Sequence, residues 1–575
     1  MTAWLVLASI LGLLAVLISG IARPAVAFLS VASGYLLFGL VTTEVLLSQY
    51  TNPALVTLLL LLLISLALER TPLLDWLSQR LLKGAETFAT ARLMAVTAVL
   101  SAFLNNTAVV AAFLGTITRQ KKIAPSRLLI PLSYASILGG ITTLVGTSTN
   151  LVVNSFVLSS TGTSLGIFTF SLVGIPVALI TFFVVLYSAG RLPHNTPENN
   201  EETLSYFLAA EVQFGSALIG KTIEANNLRA LDGLYLLEIE RDGRLISPVS
   251  PTEVVKQNDT LIFTGEVDKV QALQRFSGLK VFGTAASDLL ATNLVEVVVS
   301  HESELIGKTL QLVDFRTMFD AGVVGIRRGE KRLAGQLGQI PLRAGDCMVL
   351  AVGNDFRHHR NIERNFHVLS GSFKRPPLST IKSIFTLGSF GLVILLAAIG
   401  TLPLFHGLLL MLGALLLIKI LTPTELRRRF PFELWLIIGS ALVIAQGLQN
   451  SGAANLIAQG MQFLTAGYGV YAAFIACYLL TLLLTEMVTN NAAAALAFPV
   501  AYTTAQALGA DPMPFIMAVA YGASACFLIP YGYQTHLMVY SSGRYQVHDF
   551  LKAGWPVTLV YSFAVIVITP MVFSF

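Results

Sequence analysis

The chain has 575 residues, of which 54% are hydrophobic and only 12% charged, with a formal net charge of +5. Soluble domains carry about 25% charged residues, so this apolar surplus excludes a soluble enzyme, a disordered chain and a fibrous protein. A polytopic α-helical membrane protein is expected, and its basic excess reads as Lys and Arg in cytoplasmic loops, not as nucleic-acid binding.

In chain order, the first apolar run is Ala3 to Ala22. No Lys or Arg precedes it, so it reads as a retained span and not a cleaved signal peptide. Further runs of spanning length lie near 24–43, 53–69, 128–157 and 165–189, and again near 380–401, 403–421, 432–449, 513–541 and 553–575. Leu73–Lys83 is amphipathic and is expected at the inner interface. Two stretches, 90–118 and 470–506, exceed the roughly 20 residues of one crossing and carry polar clusters in their middle. They are read as re-entrant hairpins. With Met1 outside, Arg23, Arg80, Lys83, Arg92, Arg119, Arg127, Arg191, Lys374, Arg375, Arg427–Arg429, Arg544 and Lys552 then all fall inside. The outer loops near 44–52, 158–164, 402–407, 450–469 and 507–512 contain no Lys or Arg. That asymmetry places both termini outside and a hydrophilic block, 192–375, in the cytoplasm. The expected location is the cell membrane, or the inner membrane of a Gram-negative cell.

Each membrane half, 1–191 and 376–575, thus has five spans plus one hairpin in the same order. An odd number of crossings makes two similar halves inverted repeats, an arrangement of secondary transporters with substrate near the midplane. Residues support the repeat. Asn105-Asn106-Thr107-Ala108 in the first hairpin matches Thr489-Asn490-Asn491-Ala492 in the second. The next span is interrupted in both halves, by Gly146-Thr147-Ser148-Thr149-Asn150 within 128–157 and by Gly532-Tyr533-Gln534-Thr535-His536 within 513–541. Tyr134 and Tyr521 precede these breaks.

The hydrophilic block repeats too. Leu218-Ile219-Gly220-Lys221-Thr222 recurs as Leu305-Ile306-Gly307-Lys308-Thr309, Arg229 as Arg316 and Asp259 as Asp346. β-rich runs at Tyr235–Ile239, Thr260–Phe263, Val295–Val299 and Met348–Val352 alternate with Gly/Asp turns. Two α+β modules, 203–279 and 288–370, are expected.

Polar amides inside hydrocarbon need partners, and non-helical backbone at that depth is tolerated only within protein or along a cavity. Two matching Asn tips beside two broken spans point to an ion and substrate site. Freed carbonyls and Asn or Thr oxygens suit a hard cation. Helix N-termini at the tips suit an anion, and neither cluster contains Lys or Arg. Glu486, whose counterpart in the first half is Ala102, is a candidate proton-linked group or an orienter of the tip. His536 stands where the first half has Asn150. Gly220-Lys221 and Gly307-Lys308 lack the upstream glycine of a phosphate loop, and no GxGxxG or HExxH motif occurs. Cys347, Cys477 and Cys526 show no metal or disulfide spacing. No enzyme and no organic cofactor are expected.

These motifs resemble the divalent anion/sodium symporter family of the ion-transporter superfamily, which carries Ser-Asn-Thr at two hairpin tips. Thr485-Glu486 also looks like that family. The cytoplasmic block resembles two RCK C-terminal (TrkA-C) modules. The resemblance implies an elevator-type carrier, a homodimer, and a sodium ion held by Asn105, Asn106, Gly146 and Asn150. It implies a second sodium at Thr489, Asn490 and the second loop, including Thr535, and substrate contacts from Asn106, Thr107, Asn490 and Asn491. Departures are Asn105 for Ser, Asn491 for Thr, and the Tyr533–His536 loop. Family members with such inserts are linked to sulfur supply, so sulfate is the favoured small divalent anion. A dicarboxylate symporter, a proton-coupled antiporter or efflux permease using Glu486 and His536, and an anion sensor are the alternatives. A small nucleotide is one candidate ligand of the modules, and dimerisation without a ligand is the other reading.

Overall fold

The computed structural model describes the chain except residues 1, 20, 73–76, 78–80, 82–84, 121–122, 195–206, 229–230, 232–233, 243, 247–248, 266–275, 283–293, 301–302, 314, 330, 334–338, 353–355, 357–361, 370–377 and 465–468. The amphipathic stretch expected at Leu73–Lys83 therefore lies almost wholly outside the described residues, as do Lys374 and Arg375.

The first half contains α1 (Thr2–Ser19), α2 (Pro24–Leu37), α3 (Thr43–Tyr50), α4 (Pro53–Glu69), α5 (Glu86–Ser101), α6 (Asn106–Arg119), α7 (Pro125–Gly140), α8 (Ser148–Thr161) and α9 (Ser171–Ala189). Two five-stranded sheets follow. The second half contains α10 (Thr380–Ile399), α11 (Leu404–Leu417), α12 (Pro423–Arg429), α13 (Phe432–Asn450), α14 (Ala453–Leu464), α15 (Gly469–Met487), α16 (Asn490–Ala507), α17 (Pro512–Ser524), α18 (Gln534–Ser542) and α19 (Val547–Val572). Local chemistry sets the boundaries. Proline opens α2, α4, α7, α12 and α17, where its missing N–H costs nothing. Asn52 accepts from the N–H groups of Ala54 and Leu55 to cap α4, and Gly162 and Gly400 close α8 and α10 in the left-handed region.

Among the described residues, seven helical stretches are long and apolar enough to cross a bilayer, with α3 and α4 counted as one. Two expected spans come out short. Those read at 24–43 and 403–421 are helical only over the 14 residues of α2 and of α11, about 21 Å against a hydrocarbon core of about 30 Å. Each ends at a residue with positive φ, Gly39 and Lys419, before a short helix. The loop read at 450–469 instead contains α14, with Ala453 and Ala454 buried and Asn455 and Gln459 exposed. In the second hairpin the arm α15, at 19 residues, is long and apolar enough to span, while α16, at 18 residues, is not among the apolar spans.

Burial divides the helices. On α9, α10 and α19, large side chains such as Leu179, Phe183, Ile381, Leu392, Leu559 and Phe563 are exposed. Exposed apolar surface on this scale is what a lipid-facing helix presents. By contrast α7 and α17 are buried at nearly every position. The two helices that break are therefore the centre of the membrane part, and the remaining helices shield them. Small residues permit the closest approaches. A Cβ on Gly139 of α7 would lie 2.1 Å from the carbonyl oxygen of Ala98 on α5.

The sheets share one topology. The first has strands β1 (Phe207–Val212), β2 (Leu234–Arg241), β3 (Arg244–Ile246), β4 (Thr260–Gly265) and β5 (Leu279–Phe282), in spatial order β3-β2-β4-β1-β5. The second has β6 (Leu294–Val299), β7 (Ala321–Arg328), β8 (Lys331–Leu333), β9 (Cys347–Val352) and β10 (Phe366–Val368), in order β10-β6-β9-β7-β8. Read from the other edge, the second order is the first order again. Register breaks fall at Leu236/Glu238 and at Val323/Gly325, and bridges pair Thr222 with Val254 and Thr309 with Pro341. Each feature recurs at one constant offset. The buried Asp259 and Asp346 each take a forked pair of hydrogen bonds, from Arg241 and Arg328 respectively. That bonding pushes the Arg328 guanidinium further above its ordinary range. On β9, burial pushes the Cys347 thiol well up, with the Glu296 carboxylate adding to it, so it stays a thiol donating to Glu296 at 3.1 Å. The three described cysteines are all free.

The contact between α5 and α7 yields a prediction. Gly139→Ala forces the two backbones apart, and overpacking of this kind costs about 1–3 kcal/mol. Thermal unfolding of the purified protein in detergent should shift down by several degrees. Gly12→Ala, on α1 with nothing within 4 Å of its new methyl, should leave the midpoint unchanged.

Candidate substrate and cation site

Each hairpin tip meets a break in a central helix. The first tip, between α5 and α6, lies against the break between α7 and α8. A Cβ on Gly140 would be 2.8 Å from the Asn106 side chain, and one on Gly146 would be 2.5 Å from the Gly140 carbonyl and 2.9 Å from that of Ser101. The second tip, between α15 and α16, lies against the break between α17 and α18. Thr485 donates to the Ala523 carbonyl at 2.6 Å, and Glu486 accepts from the N–H groups of Phe527 and Leu528, both at 3.0 Å. Broken helices leave orphan backbone groups, and in a dry interior each must find a partner. The tips supply them.

The halves also hold each other reciprocally. Thr107, at the start of α6, donates to Gln534, at the start of α18, at 3.0 Å. Ser148, at the start of α8, donates to Asn491, at the start of α16, at 3.0 Å. Thr107 and Asn491 are counterparts, and so are Gln534 and Ser148. The Asn106 amide nitrogen donates to the Tyr533 hydroxyl at 2.6 Å. Four helix N-termini are thereby gathered around one place: α6, α8, α16 and α18. Each presents backbone N–H groups and positive partial charge. No side chain caps α8 or α18.

The sequence-predicted residues divide by what their polar atoms do. Asn105 caps α6, accepting from Thr107 N–H at 2.9 Å. Thr489 caps α16, accepting from Ala492 N–H at 3.4 Å. Both oxygens are engaged in closing helix ends. Asn106, Asn150 and Ser101 differ. Their side-chain oxygens, Asn106 Oδ1, Asn150 Oδ1 and Ser101 Oγ, are buried with no protein partner. Around them, Asn150 donates to the Thr143 carbonyl at 2.8 Å, Gly146 N–H donates to the Thr143 hydroxyl at 3.1 Å, and that hydroxyl donates to the Ala102 carbonyl. A buried oxygen left without a donor loses about 1–3 kcal/mol. Oxygen-only ligands around a carbonyl-rich turn fit a hard cation. Among the described residues no group of three His, Cys, Asp or Glu side chains converges, so no soft-metal donor set competes.

The second half is not equivalent. Asn490 Oδ1 lies 3.0 Å from the Thr485 hydroxyl, and the partnerless atom is its amide nitrogen. Thr535 lies 2.7 Å from the Ser133 hydroxyl. His536 is fully buried between two fixed partners, Cys526 O at 2.8 Å from Nε2 and Ser133 Oγ at 2.7 Å from Nδ1. A carbonyl only accepts, so Nε2 carries the proton and Nδ1 accepts from Ser133. Glu486 is half-buried and borders a cavity of about 230 Å³ shared with Thr489, Tyr531 and Gly532. Sequence reasoning passed over Ser101, Thr143 and Ser133. Ser101 had a signal, since laying the tips over one another sets it on Thr485. Thr143 and Ser133 had none.

Adding sodium to the purified protein should raise its thermal midpoint, because a ligand of the native state alone stabilises it. Gly146→Ala, which drives a methyl against the Gly140 and Ser101 carbonyls beside these oxygens, should abolish that rise.

Comparison with known proteins agrees with this architecture. A sequence profile of the citrate transporter family (CitMHS) matches residues 13–522. An uncharacterized transporter of Synechocystis is 29% identical over 94% of this chain and 92% of its own. A putative sulfur deprivation response regulator of Chlamydomonas reinhardtii is 29% identical over 97% of this chain and all of its own length. Sodium/sulfate cotransporter 1 of the same alga is 30% identical over 61% of this chain and 41% of its own.

Proposed function

The chain belongs to the citrate transporter family, and on that premise we propose that this multi-pass membrane protein is a sodium-coupled symporter of a small divalent anion, sulfate first. The observation that carries the reading is the meeting of four helix N-termini at a place without Lys or Arg, beside the Thr143–Gly146 turn and the buried, partnerless side-chain oxygens of Ser101, Asn106 and Asn150. The helix ends favour an anion, and the oxygens favour a cation next to it. Each ion lowers the cost of desolvating the other, which is the physical basis of coupling. Relatives named as sodium/sulfate cotransporters and as a sulfur deprivation response regulator support the choice of ion and anion.

In this reading the two membrane halves are inverted repeats, 1–191 and 376–575. The sheets form two cytoplasmic regulatory modules of the RCK C-terminal kind, 203–279 and 288–370, and the termini lie outside. The tips and broken helices move as one body in a homodimer. Substrate contacts come from Asn106, Thr107, Asn490, Asn491 and the N–H groups of the helix ends. The cation is held by Ser101, Asn106, Asn150 and the turn at Gly146. Asn105 and Thr489 act as caps, and Glu486 and His536 position the second loop. With Thr535 and His536 both engaged, one sodium per anion is the stoichiometry favoured.

Uptake of radiolabelled sulfate into proteoliposomes should require an inward sodium gradient, with a Hill coefficient for sodium near one. Asn106→Ala should abolish it. Asn105→Ala should lower stability by about 1 kcal/mol and keep most of the uptake. Equal loss in both variants would overturn the division between ligand and cap. Sodium-dependent uptake of succinate or citrate in place of sulfate would keep the symporter and change its substrate. Uptake indifferent to sodium but lost in Glu486→Gln would favour proton coupling, which the cavity beside Glu486 makes the second reading.

A further inference from the structure

The two sheets share topology, register breaks and an internal Arg–Asp fork, so their differences report what only one of them does. In each sheet the fork ties together two turns: the hairpin turn following the arginine and the turn preceding the aspartate. Arg241 holds Asp259 at 2.8 and 2.9 Å, and Arg328 holds Asp346 at 2.7 Å through both nitrogens. In the first sheet the turns carry Asp242 and Asn258, with φ of 51° and 64°, both exposed. In the second the same two positions are Gly329 and Gly345, with φ of 60° and 83°, both buried. Asp and Asn tolerate this left-handed region, and the first sheet folds with them. Backbone conformation therefore does not require glycine here.

What requires it is α18. A Cβ on Gly329 would stand 2.7 Å from the Tyr540 hydroxyl oxygen and 2.8 Å from its ring. A Cβ on Gly345 would stand 3.2 Å from a Leu537 methyl. Ser541 sits between the turns. Its hydroxyl donates to the Gly345 carbonyl and accepts from Gly329 N–H at 3.3 Å. Leu537, Tyr540 and Ser541 are spaced i, i+3, i+4 and so form one face of the helix. Val298 and Cys347, from neighbouring strands of the same sheet, join the apolar core of the membrane part. The opposite end of α18 carries Gln534, Thr535 and His536, which bond to Thr107 and Ser133 at the candidate site.

We propose that the second sheet is latched to α18 through Gly329, Gly345 and Ser541, and that this latch positions Gln534–His536 for substrate binding. A helix of nine residues is short enough to act as a rigid lever. Held at its C-terminal end by the sheet, it presents its N-terminal end in one orientation, so the site does not have to be ordered when the anion binds. The second module would then pass a change in its own state to the site through α18, while the first module, with Asp242 and Asn258 at the same turns, lacks the latch. Ser541 is a positioning residue in this scheme, and the effect on transport rests on the symporter reading above.

The test converts the second sheet's turns into those of the first, as Gly329→Asp with Gly345→Asn in the full chain. The first sheet supports these residues at the same φ, so the second should fold while its contact with α18 is blocked. Hydrogen exchange of the amides of 537–543 should accelerate by about tenfold or more as their protection is lost. The sodium-induced rise in thermal midpoint should persist, since its ligands lie in the first half. For transport, the KM for sulfate should rise about fivefold with the maximal rate held within about twofold, the pattern of lost ground-state positioning. Ser541→Ala should reproduce the KM effect in part. Faster exchange with an unchanged KM would overturn the coupling, and unchanged exchange would overturn the latch itself. If the wild type takes up no sulfate, the symporter reading fails separately. The exchange measurement, and the anion's binding affinity read by thermal shift, would still decide the proposal.

Discussion

The structure depends on one constraint: a helix broken inside hydrocarbon exposes backbone groups that lipid cannot satisfy. Both α7–α8 and α17–α18 break, and in each case a hairpin tip is driven against the gap. The solutions differ in chemistry. In the first half the Thr143 hydroxyl accepts from the Gly146 N–H and donates to the Ala102 carbonyl. In the second half a carboxylate, Glu486, receives two N–H groups of the loop. Satisfying the breaks assembles the candidate site, because it brings helix N-termini and amide side chains together.

That difference makes a symmetric frame asymmetric in its polar chemistry. Where the first half leaves Ser101 Oγ, Asn106 Oδ1 and Asn150 Oδ1 buried without protein partners, the second engages Thr485, Asn490 Oδ1 and His536 at the matching positions. His536 takes the position of Asn150 and is bonded at both nitrogens, and at Asn490 the buried atom without a partner is the amide nitrogen, not the oxygen. A free nitrogen suits an anion and a free oxygen suits a cation. On the proposed symporter reading, two nearly like tips thus hold unlike charges side by side.

The same logic of duplication and divergence runs through the sheets. Their common fork, bulge and strand order come from one pattern written twice. One divergence falls at turns where a neighbour presses. Two glycines replace Asp242 and Asn258 because α18 occupies the space a side chain would need. The turns tolerate side chains where nothing faces them and lose them where a helix does.

Composition and spacing by themselves determined that this chain is a membrane protein, that the middle is hydrophilic and strand-forming, and that polar clusters near 106, 150, 490 and 536 interrupt apolar runs. These are properties of local sequence: hydropathy, period and the cost of an amide in lipid are all readable one segment at a time. The sequence also carried the offset between the sheets, since Arg and Asp recur with the Gly-Lys-Thr motif. Tertiary structure alone decided which oxygen is free. Asn105 and Asn106 are adjacent and chemically identical, yet one caps a helix and the other faces Gly140, because the first sits just outside the helix and the second is its opening residue. It also decided that Ser101, Thr143 and Ser133 belong to the site, that Thr535 and His536 are engaged, and that Gly329 is glycine for the sake of Tyr540. Partners more than 200 residues away settle the roles of Ser133, Thr535, His536 and Gly329, and no local pattern encodes the face such a partner presents.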